Sequence, residues 1–535
     1  MPINLCKNFI DSSLNQKLAI LVLPMIFLFS SVLMRHNAGP FWLWSNLDPD
    51  YWYLMDALNI INGEWPRHIA HPGTTVQWIG ALVIKASHPF TDLHDLNTLV
   101  LSKPEEYLKI IVYFFISLNT VALLLVGAIS NLVLRDPIAA ILIQMGPFLS
   151  KLTFKWILHV SPEPLLVTTA LMLAIITVLA LREGQLEKHG ARYAVAFGIV
   201  AGFGMVTKVT SAGMYLLPIV LLWNIRKIAI YVALSIAGML LFSLPAAGAY
   251  KEFIDSISSF AIASGFHGEG AQTFIDFSTY PNNLVRVSSR PMFFIVLFIG
   301  LSLIITLFTK SRREKQKFPV VGRALGGLCL AYIGQALLIA KHPAGHYMLP
   351  ALATSGLGLA LIYETSKEIL RGKAIHLKQI RIGFFFLLVL LFVVQTKSLA
   401  KLNDQFNNRT AKSEAINEAP YGHCARIYFW PASHPSYALF MGSWNTHYSF
   451  TKELYNLHFE QSEMYYTTDG ELHDLKGLRD PKRLVTDYTC IYARGANLHP
   501  SLKKLDEAFS IYKIKKQCRE GEEAVLTWGI NCTNN

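Results

Sequence analysis

Long uncharged apolar windows recur along this 535-residue chain, and they constrain its fold more than any other feature. A stretch of ~20 apolar residues can cross a bilayer, because a helix satisfies its own backbone polar groups where there is no water. Eleven windows are read as candidate spans: 18–34, 110–134, 137–150, 164–181, 193–207, 209–225, 228–250, 291–309, 324–340, 347–363 and 382–396. Those at 137–150 and 193–207 are short for a full crossing and are expected to be tilted, broken or re-entrant. The balance of residues agrees, with 52% apolar or aromatic and 16% charged, against roughly 25% charged in soluble domains. The first window ends in Met34-Arg35 without the small residues of a cleavage site, so it reads as a span and not as a cleaved signal. The expected fold is an all-α polytopic membrane protein of about eleven helices.

The net charge of +12 could indicate nucleic acid, but the positive residues fall in short loops between spans. With the N-terminus in the cytoplasm, the clusters Arg182/Lys188/Arg192, Arg226/Lys227, "KSRREKQK" (310–317) and "KEILRGKAIHLKQIR" (367–381) share one side. That is the positive-inside pattern. It predicts a multi-pass protein of the bacterial inner (plasma) membrane. It places 35–109, 151–160, the 207–210 turn, 251–290, 341–346 and everything after 398 outside.

Four of the six cysteines, Cys424, Cys490, Cys518 and Cys532, fall in the exported tail, where disulfides persist. Of the three possible pairings, Cys424–Cys490 with Cys518–Cys532 is favoured. Cys6 and Cys329 are expected to be free thiols. In the tail "ARIYFWPAS" and "CIYARG" read as strands and "SLKKLDEAF" as helix. Two parts are therefore expected: a membrane part, 1–397, carrying large outer loops 35–109 and 251–290, and a small α/β or α+β extracytoplasmic domain, 398–535.

The loop 35–109 is too long for a plain connection. Its first half, "NLDPDYWYLMDALNIINGEWP", places Asp48 as a helix cap with Pro49 in the first helical position and Gly63 as a stop. With "HPGTTVQWIGALVIKA" (71–86) it reads as two interfacial helices, marked by Trp42, Trp44, Trp52, Trp65 and Trp78. Asp48 and Asp50 have an ordinary structural explanation as cap and first-turn acid, and a chemical one as proton acceptors.

Further ionisable groups sit at the expected outer mouths of spans. Glu163 lies between two prolines in "SPEPLLV", and Lys208 interrupts "GFGMVTKVTSAG". His71 stands in "HPGTT"; Lys341, His342 and His346 stand in "AKHPAGHYMLP"; His267, Glu269, Arg286 and Arg290 come from the loop before. Snorkelling or dipole complementation accounts for any one of them. Together they supply carboxylates for deprotonating a hydroxyl and cations for holding a phosphate. No P-loop, dinucleotide fingerprint, HExxH or G-x-S-x-G is present.

In this order the motifs resemble the GT-C membrane glycosyltransferases, the class that includes protein O-mannosyltransferases and the aminoarabinose transferase of lipid A modification. The resemblance covers roughly 15–365 and rests on the first-loop acid pair, "HPGTT", "SPEPLLV", "GIVAGFGMVTK" and "KHPAGHYMLP". It differs in carrying Asp-Pro-Asp in place of adjacent Asp-Glu, and His71-Pro72-Gly73 in place of a KPP-type motif. The resemblance implies a polyprenyl-phosphate-linked sugar donor, a lipid, glycan or protein acceptor on the outer face, and inversion at the anomeric carbon. It also implies Asp48 as general base and Glu163 at the second acidic position, with Asp50, His71 and Glu163 orienting donor or acceptor. Lys208, His267, Arg290, Lys341, His342 and His346 are candidates for binding substrate phosphate. If a divalent metal ion takes part, Asp48, Asp50 and Glu163 are its candidate ligands. The alternatives are a lipid or polysaccharide transporter, which predicts charges at the bilayer midplane, and an inactive assembly subunit. No nucleic-acid partner is expected.

Overall fold

The structure is a computed structural model that describes residues 14–43, 50–69, 73–263, 272–467, 469–496, 505–507, 509–510, 515–519 and 523–532. Asp48, His71, His267 and Glu269 lie outside the described residues. The chain packs as two compact units. The first comprises Met1–Arg35, Ile69–Trp78 and Val112–Asn403; the second comprises His36–His68, Ile79–Ile111 and Asp404–Asn535.

Among the described residues nine helices are long and apolar enough to cross a membrane. They are Gln16–Asn37, Pro104–Leu134, Pro162–Leu181, Gln185–Thr207, Ile225–Ser259, Pro291–Arg313, Val320–Ala340, Gly345–Ile369 and Ala374–Tyr421. Two of the eleven expected spans are not among them. The window 137–150 is an eight-residue helix, Pro137–Gln144, followed by a 3-10 turn, Gly146–Leu149. The window 209–225 is a 3-10 segment, Val209–Leu216, and a six-residue helix, Leu217–Leu222. Apolarity alone cannot separate a crossing from a buried half-helix, and Pro147 and Pro218 each stand second in a new short element. The window 193–207 belongs to a 23-residue helix from Gln185, broken near its start by non-helical backbone at His189.

Inner and outer helices differ as a membrane requires. Pro162–Leu181 is 78% buried over its most apolar window, whereas that of Ala374–Tyr421 is 6% buried, with Phe385, Phe386, Leu390 and Val394 exposed. Apolar faces of that size, on a helix long enough to cross a bilayer, suit lipid surroundings. The chain is a multi-span membrane protein. Its helices pack closely where glycines meet: a Cβ on Gly202 would stand 2.8 Å from the Gly238 backbone, drawing Gln185–Thr207 onto Ile225–Ser243. The basic end of the bundle is capped by Lys310, whose Nζ donates to the last carbonyls of a neighbouring helix, Glu368 O (3.1 Å) and Ile369 O (3.0 Å).

In the second unit the segment Asp50–Ile61 is buried from Asp50 through Asn59. Ten successive buried residues cover every face of a helix, so this one is held by protein on each face and does not lie along a surface. Two further helices, Thr74–Ser87 and Leu93–Ser102, complete the loop.

Among the described residues the tail forms a seven-stranded mixed sheet of order β4-β3-β2-β1-β5-β7-β6. The strands are β1 Ala425–Phe429, β2 Glu463–Tyr466, β3 Leu472–Asp474, β4 Gly477–Arg479, β5 Ile491–Ala496, β6 Lys515–Arg519 and β7 Glu523–Trp528. Central β1 is parallel to both β2 and β5. Ala425, Ile427 and Phe429 enter an apolar core with Ile491, Ala493, Leu526 and Trp528. The alternate residues Arg426 and Tyr428 take the other face, as period-two geometry dictates. Disulfides join Cys424 to Cys490 and Cys518 to Cys532. Position 397 falls inside the helix Ala374–Glu414.

Candidate functional site

In the membrane unit three of the residues singled out in the sequence meet. Pro162 starts the helix Pro162–Leu181 and puts Glu163 in its first turn, where exposed amide dipoles favour a carboxylate. Lys208 follows the last residue of Gln185–Thr207 with extended backbone, turning the chain into the 3-10 segment that carries Ser211. The hydroxyl of Ser211 donates to Lys208 O at 2.8 Å, fixing that turn. Thr75 Oγ1 donates to Thr207 Oγ1 at 2.8 Å, tying the start of Thr74–Ser87 to the same place.

Lys208 Nζ donates to Glu163 Oε1 at 2.7 Å, and each side chain is only 1% exposed. His346 comes from the turn Gly345–Met348, with its Nε2 3.9 Å from the same carboxylate oxygen. Its ring lies 4.6 Å from Trp156 and 4.4 Å from Tyr347, and the Lys208 ammonium is 4.8 Å from the Tyr347 ring. Gln335 holds both turns at once, donating to Thr210 O (2.7 Å) and Tyr347 O (2.9 Å). The result is one acid, one ammonium and one imidazole lined by aromatic faces. They gather where two helices end and two begin.

The other candidates are distributed as follows. Arg290 stands beside this turn, since a methyl at Gly345 would lie 2.9 Å from its Nη2. Lys341 and His342 follow the helix Val320–Ala340, with Lys341 4.8 Å from the Phe274 ring. Asp50 is fully buried in the second unit, in the first turn of its helix.

Asp56 was not among the sequence candidates, and the same helix carries it. Its carboxylate accepts from Arg67 N (2.8 Å), His68 N (2.8 Å) and Asn59 Nδ2 (3.1 Å). It therefore shapes the chain leading out of 50–61. Burial pushes its pKa up to about 6 against the pull of these donors. A second acid missed by sequence, Glu105, accepts from Tyr51 Oη (2.8 Å) and Phe41 N (2.9 Å). The available signal for Asp56 was an acid inside an otherwise apolar helix, "DYWYLMDALNII"; Trp156 and Tyr347 carried none beyond apolarity.

The described residues do not suit a metal at Glu163. Its Oε1 is committed to an ammonium at 2.7 Å, a cation that repels another. The metal-capable group His423, Cys424 and Cys490 has its two sulfurs bonded to each other, leaving no thiolate to coordinate.

No protein-family model and no curated protein matches the chain. The chain is similar to two solved structures. One is ArnT from Cupriavidus metallidurans bound to undecaprenyl phosphate, at 11% identity over 96% of this chain and 98% of that one, with a TM-score of 0.49. The other is the same protein in the apo state, at 11% identity over 94% and 97%, with a TM-score of 0.46.

Proposed function

We propose that the chain transfers a sugar from a polyprenyl-phosphate carrier to an acceptor hydroxyl on the outer face of the membrane. The observation that carries this reading is the Glu163–Lys208–His346 cluster, a cationic group inside an apolar bundle with an acid to hold it in place. Ionisable groups buried among spans are costly and mark substrate paths. The absence of nucleotide-binding motifs in the sequence agrees with a lipid-carried donor, and so does the order of the acidic and lysine motifs.

In the reaction the acceptor oxygen attacks the anomeric carbon as the bond from that carbon to the phosphate oxygen breaks. The acceptor's proton passes to a carboxylate, assigned to Asp48 by its place in the first-loop motif. The polyprenyl phosphate leaves with its negative charge. Lys208, oriented by Glu163, meets that charge, with Arg290, His346, Lys341 and His342 as further cationic or hydrogen-bonding groups. Attack from the side opposite the phosphate inverts the anomeric centre. The membrane part, 1–397, would do the chemistry and the tail, 398–535, would face the extracytoplasmic space, with the N-terminus and the basic loops in the cytoplasm of a bacterial inner membrane.

Lipid mass analysis of cells with and without the protein tests this directly. The expected result is one missing glycoform together with accumulated lipid-linked sugar; unchanged profiles would refute transfer. Asp48→Asn keeps the ability to cap a helix but removes the proton acceptor, so transfer should fall ~10²–10⁴-fold with stability nearly unchanged. If it does not, and Asp50→Asn is also active, the base lies elsewhere.

A further inference from the structure

The second unit holds a cleft of about 680 Å³ that the transfer chemistry above does not use. Its volume falls within the ~300–1,000 Å³ of small-molecule sites. One wall is the junction of the helices Leu93–Ser102 and Pro104–Leu134; the other is the polar face of the tail sheet and the start of the helix Pro435–Asn445. The walls are fixed to each other, because His458 on the tail side hydrogen-bonds through Nε2 to Leu101 O at 2.8 Å.

The floor of the cleft is built from facing polar side chains, among which Arg426 pairs with Glu460 and also donates to Ser462 Oγ at 3.1 Å. Register pairs Arg426 on β1 with Glu463 on β2, and their charged ends stand 3.5 Å apart. His434 stacks on Tyr428, with ring centroids 4.0 Å apart, and is anchored through Nδ1 to Ser436 Oγ at 2.7 Å. That leaves its Nε2 3.9 Å from Glu463 Oε1. The separation is too long for a direct hydrogen bond and suits a hydroxyl placed between them. Burial brings the His434 pKa down to about 4, so near neutral pH the ring meets such a hydroxyl uncharged. Phe459 and Trp42 add aromatic surface at the rim.

The charge inventory limits what fits. Four carboxylates (Glu105, Glu106, Glu460 and Glu463) line the cleft against two permanent cations, Lys103 and Arg426. An anionic ligand such as a phosphate or a uronate is disfavoured. A molecule offering many hydroxyls and apolar ring faces, with or without an amine, satisfies carboxylate, imidazole, guanidinium and aromatic surface together.

We propose that this cleft binds the glycan portion of the acceptor, a neutral or amino saccharide. The assignment as acceptor rests on the transferase reading above; saccharide binding itself does not.

The test uses the full-length protein in lipid nanodiscs free of sugar-based detergent, with saturation-transfer NMR reading the binding of added disaccharides. Cellobiose (neutral) and a glucosamine disaccharide (amino) should bind, and a galacturonic acid disaccharide should bind at least ten-fold more weakly. Ser102→Trp, at an exposed rim position, should weaken binding at least ten-fold with an unchanged melting temperature. Glu463→Gln should weaken it similarly, while the double substitution Glu163→Leu with Lys208→Met in the other unit should abolish transfer and leave saccharide binding within two-fold. Absence of binding by wild type, equal binding of the uronate, or full binding by Ser102→Trp each overturns the proposal. A glycoform lost from deletion cells with no saccharide binding defeats the cleft assignment alone. Saccharide binding with no glycoform lost defeats the transferase reading, and with it the word acceptor.

Discussion

Lys208 Nζ and Glu163 Oε1 stand 2.7 Å apart with both side chains 1% exposed, although 45 positions separate them in the chain. Neither charge is tolerable there without the other. Removing one partner of a buried pair costs about 3–5 kcal/mol, whereas replacing both by apolar groups of similar size is often neutral.

Glu163→Gln is therefore expected to lower the melting temperature sharply, and the double substitution Glu163→Leu with Lys208→Met to restore most of it. Transfer should be lost in both. A double variant that regained stability and also retained transfer would show the pair to be a structural fastening only.

Asp56 gives the second unit a pH dependence whose sign follows from burial. Its carboxyl is raised from 3.8 to about 6 in the folded chain, so the folded state holds its proton more tightly than the unfolded one. The stabilisation is complete below about pH 4 and is lost as pH rises through about 6, a change of roughly 3 kcal/mol across that interval. Thermal melts of wild type and Asp56→Asn between pH 4 and 7.5 should therefore differ in slope across that window and run parallel above it. Parallel curves throughout would remove Asp56 as the titrating group.

Arg494 joins three segments of the second unit. It donates to Glu523 (2.6 Å), Glu418 (2.7 Å) and Ser413 (3.0 Å), and is buried. A lysine cannot reproduce a planar fork aimed at three acceptors. Arg494→Lys should destabilise by roughly 2–3 kcal/mol, on the scale of losing charge-assisted hydrogen bonds, and Arg494→Met by more. Calorimetric melting of the two variants checks that order; Lys behaving as wild type would contradict it.

The two disulfides should contribute unequally. Cys424–Cys490 spans 66 positions and Cys518–Cys532 spans 14. Loop-closure entropy then favours the first by about 1.4 kcal/mol. Cys424→Ser with Cys490→Ser should lower the folded yield more than the paired serine replacement at 518 and 532. A retained cross-link also predicts a mobility shift on reduction, and four free thiols in freshly purified protein would contradict it.

What sequence could determine here is what depends on local composition. A long apolar window must be helical in lipid, so the membrane class was readable from it, and nine of the eleven windows are long helices among the described residues. Alternation of polar and apolar residues marked strands such as Ala425–Phe429 and Ile491–Ala496. Glu163, Lys208 and His346 were each visible as ionisable residues in apolar surroundings. Their union was not, because it depends on which span ends are brought together, and close approaches such as Gly202 against Gly238 decide that over long sequence separations. The same reason hid the rest. Whether 137–150 and 209–225 cross the membrane or turn back inside the bundle is a question of what packs around them, and their hydropathy is identical either way. Asp56 and the cleft at His434 and Glu463 became significant only when the tertiary structure buried the first and set the latter two 3.9 Å apart. A carboxylate's role depends on which groups surround it, and those neighbours are chosen by packing.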